Sequence, residues 1–326
     1  MSVVEFKKRI NGENKHSPRN KSRLLKDAIF RAFMGVGGVS VIGAILLIFF
    51  YLGYVVIPLF GAAKVEFSTG FNIDPSTKIL ASSIDEYSEI VFTVHANGSL
   101  VFSSVSDKKP LSSEFLAREK PLKNTITTVS SGDPESRIMV IGTENGEAYL
   151  LKTDYKVSYP NDVRMINPSI VYPAGKFPLK IDNNNLPILK VSGQFSDENG
   201  AIASVTSDNR LLMTYISVSS SFLSDEKDIS YETVEVTKIT SPVSSLELDV
   251  NQRRLVLVTS DGVMSMYDVD FKENIELVDR ISVVGGEEKV TDMTFLSSGL
   301  SIIVGSSSGA IAQWAAVRDM NNIYSL

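Results

Sequence analysis

Five times the sequence writes the same short unit: a Val/Ile-rich run, a tight polar turn, and a second run in which apolar and polar residues alternate. The turns fall at Asn97-Gly98, Asn145-Gly146, Asp208-Asn209, Asp261-Gly262 and Ser308-Gly309. Residues of these types accept the positive φ that a two-residue hairpin connection demands, so each unit reads as a β-hairpin. Successive turns lie 48, 63, 53 and 47 residues apart. Each hairpin also follows another strand, as with "SSLELDV" (244–250) and "VTDMTFL" (290–296). Three strands of this kind make most of a four-stranded blade. A single such sheet cannot bury both of its faces, and blades repeating at about 40–50 residues do so by stacking radially.

The expected fold class is therefore all-β: a WD40-like β-propeller, incomplete, with about five blades, preceded by a single transmembrane α-helix. A β-sandwich would also supply many short strands, but not hairpins of one design at near-constant spacing. The widest interval contains "PNDVRMINPSIVYPAGKFPLKIDNNNLP" (160–187), which reads as a loop because it is rich in Pro and Asn. The Trp-Asp pair of WD40 repeats is degenerate, with Tyr267-Asp268 and Trp314-Ala315 in the corresponding places. The final "MNNIYSL" (320–326) reads as the start of another strand.

No charged side chain occurs from Ala32 to Ala63. The apolar centre, Met34–Phe60, is 27 residues long. About 20 residues suffice to cross the hydrocarbon core as a helix, whereas a signal-peptide core has about 7–15, so an uncleaved anchor is expected. Tyr51 and Tyr54 stand toward the far end, where aromatic rings favour the interface. Residues 1–31 hold nine Lys/Arg against Glu5, Glu13 and Asp27, a net +6, which leaves -12 for residues 32–326. The basic side of a span stays in the cytoplasm, which places the acidic body across the membrane. An acidic body gives no reason to expect nucleic-acid binding. "SRLLKDAIFRAF" (22–33) gathers Leu25, Ile29, Ala32 and Phe33 on one helical face, either as an interfacial helix on membrane lipid or as an extension of the span. Three regions follow: a basic cytoplasmic head (1–31), a transmembrane helix (32–63) and an extracytoplasmic propeller-like domain (64–326). Residues 1–20 read as disordered.

The search for chemistry finds little. Zero cysteines exclude disulfides and thiolate metal sites. His16 lies in the polar head and His95 inside the first hairpin. The glycine cluster Gly35–Gly38 opens the span and is not placed between a strand and a soluble helix, as a phosphate loop would be. Ser40 and Ala44 have the spacing of a small-residue helix contact. The acidic pairs Asp225-Glu226 and Glu287-Glu288 fall in polar loops and read as solvated surface, and Asn97-Gly98-Ser99 matches a glycosylation acceptor that the turn already explains. No catalytic, cofactor-binding or metal residue emerges, and the protein is not expected to be an enzyme or to carry a cofactor.

In order, the basic head, "SRLLKDAIFRAF", the span ending "LLIFFYLGYVVIPLF" and the degenerate repeats with "SSSGAIAQWAAVRD" (306–319) resemble the N-terminal portion of a bacterial phosphate ABC-transporter permease. The resemblance is to the large variant, with a WD40-like domain after its first membrane span. It implies residence in the bacterial inner membrane, N-terminus cytoplasmic and propeller periplasmic. The implied partners are a second permease subunit, ATPase subunits and a periplasmic phosphate-binding protein. The propeller would then be an interaction or gating domain. The chain holds one span and no cytoplasmic coupling loop, so no transport residue is carried over. The alternative function is a single-span anchored propeller that scaffolds envelope protein assembly.

Overall fold

The computed structural model describes residues 18–61, 77–107, 109–115, 125–220, 227–285, 288–296, 299, 301–318 and 324–325. They form two compact units divided after Ser68.

The described residues of the first unit form one helix, α1 (Pro18–Val56), closed by a 3-10 turn at Ile57–Phe60 that begins where Pro58 removes a backbone donor. Thirty-nine residues at about 1.5 Å each give about 58 Å, well beyond a hydrocarbon core of about 30 Å. From Ser22 to Phe60 the mean hydropathy of the most apolar window is 2.5 and none of that window is buried. "SRLLKDAIFRAF" and the apolar stretch belong to this one continuous helix. The polar head before Pro18 lies outside the described residues.

The second unit is built from antiparallel sheets in chain order. Sheet 1 is β1 (Ile79–Ile84), β2 (Ile90–His95), β3 (Ser99–Ser104) and β4 (Pro110–Phe115). Sheet 2 is β5 (Ile126–Ser131), β6 (Ile138–Thr143), β7 (Glu147–Ser158) and β8 (Met165–Val171), with the short β9 (Leu179–Lys180) also paired to β7. Sheet 3 is β10 (Ile188–Ser196), β11 (Asn199–Thr206), β12 (Arg210–Ser220) and β13 (Lys227–Lys238). Sheet 4 is β14 (Val243–Leu248), β15 (Arg254–Thr259), β16 (Val263–Asp268) and β17 (Glu276–Ser282). Sheet 5 has three strands, β18 (Val290–Phe295), β19 (Ser301–Ser306) and β20 (Ile311–Ala315); a further hairpin pairs β21 (Val317–Arg318) with β22 (Tyr324–Ser325). All five expected hairpins form, each as the second and third strands of a sheet.

Alternation along those two strands explains how the sheets stack. Side chains of successive strand residues point to opposite faces. In β6, Ile138 and Val140 enter a core shared with Ile188, Val191, Ile202 and Leu212 of sheet 3. Their neighbours Met139 and Ile141 enter the core shared with Phe92, Leu100 and Phe102 of sheet 1. The pattern repeats: Ala203, Val205, Leu211 and Met213 meet Leu246, Leu255 and Leu257 between sheets 3 and 4. Val256, Val258, Met264 and Met266 meet Met293, Ile302 and Val304 between sheets 4 and 5. Four cores thus join five sheets face to face in series, the arrangement of a β-propeller. Full burial of one such aliphatic side chain contributes about 1.5–3 kcal/mol.

Two further devices recur. Every first strand carries one extra residue against its partner, at Leu80, Thr127, Leu189, Ser244 and Thr291. A bulge of this kind bends and twists the strand locally. At the hairpin turn, Thr143, Thr206 and Thr259 occupy one position, and their hydroxyls bond within the turn, to Glu147 O, Arg210 O and Val263 O. At the opposite end, the buried Asp85 and Asp249 each accept two or more backbone N–H bonds from their own turns.

The expected loop 160–187 is corrected in part. It contains β8 and β9 as well as turns. β8 is an outer strand with half of its residues exposed, so its alternation is weak and Pro168 is tolerated there. The long spacing before Asp208 comes chiefly from the 16-residue connection 172–187, which carries β9, where only the four residues 239–242 join sheet 3 to sheet 4.

Candidate interaction surface

Two cavities open at the end of the propeller unit where first strands turn into second strands. The larger, about 740 Å³, lies between sheets 1 and 2 and is lined by Ile84, Glu86, Asp133, Arg137, Met139 and Tyr155 among others. Tyr155 is placed there by the length of β7, and its ring packs edge-on against Phe102 at 6.0 Å. Arg137 crosses the joint, with its guanidinium 5.5 Å from the Tyr155 ring centre and Nη2 donating to Glu86 Oε2 at 3.2 Å. Burial pushes the Tyr155 hydroxyl above its usual pKa.

Beside this cavity the β7–β8 arm folds back onto sheet 1. Arg164, at the foot of β8, donates to Glu89 at 2.5 Å and stacks on Tyr87 at 4.4 Å. The arm leaves Tyr159, Val163 and Met165 exposed, and Ile84 is exposed at the cavity edge. Exposed ion pairs of this kind contribute about 0–1 kcal/mol each, so they position the arm more than they stabilise it. A second cavity, about 530 Å³, lies between sheets 3 and 4 at the same end, where Tyr215, Tyr231, Gln252 and Lys272 line it. Aromatic, amide and charged groups at the mouths of inter-sheet clefts suit contact with another macromolecule.

Deeper in, three successive first strands are tied by side chains. Ser192 on β10 accepts from Leu248 N at 2.9 Å and donates to Glu247 Oε2 at 3.4 Å. Ser245, on the same strand as Glu247, donates to Asp292 Oδ1 on β18 at 3.1 Å. The Glu247 carboxyl is pushed up to about 7, first by burial and then by the charge of Asp292, with the Ser192 hydroxyl pulling the other way. The Glu247 carboxyl can therefore hold a proton near neutrality. Among the described residues, no group of three or more His, Cys, Asp and Glu side chains is placed to hold a metal ion.

The residues singled out in the sequence do not converge. His95 is buried, held between Thr77 Oγ1 and Thr93 Oγ1 at 3.0 Å each, so it acts within its sheet. Asn97 Oδ1 accepts from Ser99 N as part of the turn. Ser40 Oγ donates to Val36 O at 2.7 Å within α1, and a side chain at Gly35, Gly37 or Gly38 would meet open space. Trp314 and Tyr267 pack into the last two cores. His16, Asp225-Glu226 and Glu287 lie outside the described residues. Sequence reasoning missed Arg137, Arg164, Tyr155 and Glu247. Their only signal is position relative to strand ends, which becomes readable once the register is known.

No protein-family model matches the chain, and no curated protein matches it. Among solved structures it resembles the β-propeller domain of Cps50 (Swd1) from Myceliophteria thermophila, at 10% sequence identity and a TM-score of 0.46. The match covers 76% of this chain and 68% of that one. The chain is a propeller-type β-domain behind an N-terminal apolar helix long enough to cross a membrane.

Proposed function

We propose that the protein is the leading portion of a phosphate ABC-transporter permease, anchored by α1 in the bacterial inner membrane with its N-terminus cytoplasmic. Its propeller unit is then a periplasmic interaction domain onto which a phosphate-binding protein docks, beside a second permease subunit and the ATPase subunits. The observation that carries the reading is the order of parts. A 39-residue helix with a basic first half and an uncharged second half precedes a sheet unit whose cavities are clefts between sheets. A cleft edged by the exposed Ile84 is suited to holding a partner.

The test is phosphate uptake by cells whose permease lacks residues 64–326, together with cross-linking of the phosphate-binding protein to the intact permease. Loss of both uptake and cross-linking is expected. Unchanged uptake with unchanged docking would refute the interaction role. Retained membrane residence with no effect of the gene on phosphate uptake would leave the anchored envelope scaffold as the better function.

A further inference from the structure

A third cavity, about 290 Å³, opens between sheets 3 and 4 beside the outer strands β13 and β17. Its polar wall holds Thr237 and Lys238 from sheet 3 and Ser265, Tyr267 and Arg280 from sheet 4. Register puts the sheet 4 groups there. Ser265 stands opposite both Leu257 and Arg280, and Leu257 belongs to the core shared with sheet 3, so these side chains share that face. The neighbouring Asp279 stands opposite Met266, which packs toward sheet 5, so its carboxylate is carried on the other face. The charge balance is the anomaly. The two larger cavities mix cations with carboxylates, Arg137 with Glu86 and Lys272 with Glu232. This one is lined by two cations and, among the described residues, by no carboxylate, although the body carries a net -12. Neither Lys238 nor Arg280 makes an ion pair among the described residues. Asp261, at the adjoining turn, accepts from Ser241 Oγ at 2.9 Å and does not line the cavity.

A second observation points into the same space. Ser265 is only 5% exposed, yet its hydroxyl has no hydrogen-bond partner among the described residues. A buried donor left unpaired costs free energy that a bound acceptor recovers. The Tyr267 hydroxyl also lacks a partner there. Burial pushes it above its usual pKa, with Arg280 pulling the other way, so it remains a donor at neutral pH. We propose that this cavity binds a small tetrahedral oxyanion, a phosphate or sulfate group, held by the charges of Arg280 and Lys238 and by hydrogen bonds from Ser265 and Tyr267. Charge-assisted bonds from a guanidinium fork are the strong contacts of such a site. Donors arriving from two sheets suit an anion with oxygens on every side better than a planar carboxylate. Once bound, the anion links β13 of sheet 3 to β16 and β17 of sheet 4. The proposal goes beyond the permease reading and does not rest on it, because the cavity alone defines the site.

The test is calorimetric titration of the 326-residue chain with phosphate, sulfate and acetate at constant ionic strength. Saturable binding of phosphate or sulfate at one site is expected, with acetate at least roughly tenfold weaker. Arg280→Gln and Lys238→Gln, both at exposed positions, should each weaken the anion roughly tenfold, and Ser265→Ala roughly threefold. Lys176→Gln removes the same charge from an exposed position outside the lining and should change nothing. On the unsubstituted chain, phosphate should slow hydrogen exchange of the β13, β16 and β17 amides and leave β5 unaffected. No saturable binding of either tetrahedral anion would overturn the proposal. So would binding that all three cavity substitutions leave unchanged, or an equal loss in Lys176→Gln, which would mark net charge alone as the cause. Acetate bound as tightly as phosphate would overturn the tetrahedral assignment. Glycerol phosphate separates two sources of the group, and either order supports the site: tighter binding than phosphate assigns an ester, weaker binding the free anion.

Discussion

Arg210 Nη2 lies 2.9 Å from Asp182 Oδ1, joining the third strand of sheet 3 to the connection that leaves sheet 2. Asp182 is 2% exposed, and its other oxygen accepts from Leu186 N at 2.9 Å. Arg210 Nε also meets Asp208 Oδ2 at 2.7 Å, and the Asp208 carboxyl is held below the usual range by the Thr206 hydroxyl and then by Arg210. Removing the cation strands a buried carboxylate, whereas removing the half-exposed Asp208 does not. Arg210→Leu is expected to lower unfolding free energy by about 3–5 kcal/mol and Asp208→Ala by about 1 kcal/mol or less. Chemical denaturation of the two variants checks the ordering.

Glu247 gives the fold a pH dependence opposite to that of most carboxylates. Its folded pKa is raised to about 7 from 4.5, so between those values the folded chain binds a proton that the unfolded chain releases. Stability from this group is fully present below pH 4.5 and is lost as pH rises toward 7. The full loss is on the order of 3 kcal/mol. Stability measured from pH 4.5 to 8 should therefore fall less steeply in Glu247→Gln than in the parent chain. Parallel curves would show that Glu247 does not carry the effect.

Two turn glycines share a backbone conformation and differ in surroundings. Gly262 (φ +83°) would place a Cβ 2.2 Å from Val284 Cγ2, while Gly309 (φ +84°) would place one in open space. Alanine at either position meets the left-handed strain of about 1–2 kcal/mol, and at 262 it must also displace Val284. Gly262→Ala should be the more destabilising by about 1–3 kcal/mol in thermal unfolding. Equal losses would mean that Val284 moves aside freely.

Ile311 stands five residues after Ser306 as Leu211 stands five after Thr206, but it is 76% exposed where Leu211 is buried, and the two make a paired prediction. In the 326-residue chain, Leu211→Ala should cost about 2–5 kcal/mol, because it leaves a void between sheets 3 and 4. Ile311→Ala, at the equivalent position, should change stability by no more than about 0.5 kcal/mol. Urea titration of both variants decides it.

The hairpins were legible because the middle strands β6, β11 and β15 are buried on both sides and each turn needs Asn, Asp or Gly. The outer strands were not. β8 and β17 have an exposed side and carry Pro168 in one case and Asp279-Arg280 in the other, so their composition resembles that of loops. Arg137, Arg164 and Glu247 could not be read as a surface, since each acquires its partner from a different sheet or strand. Met264 and Ile311 look alike as letters. Only the stacking of sheets makes one a core residue and the other an open contact.

Because adjacent residues of β6, β11 and β15 serve different cores, each middle strand is a parity code read by two neighbours at once. A single-residue insertion within β6 would send Val140 toward sheet 1 and Ile141 toward sheet 3, scrambling two joints together. Length can drift freely only where no such reading occurs, in arms such as β7–β8 and in the connections. A lineage of such chains is thus expected to vary by whole arms and by pairs of residues, while the hairpin cores keep their count.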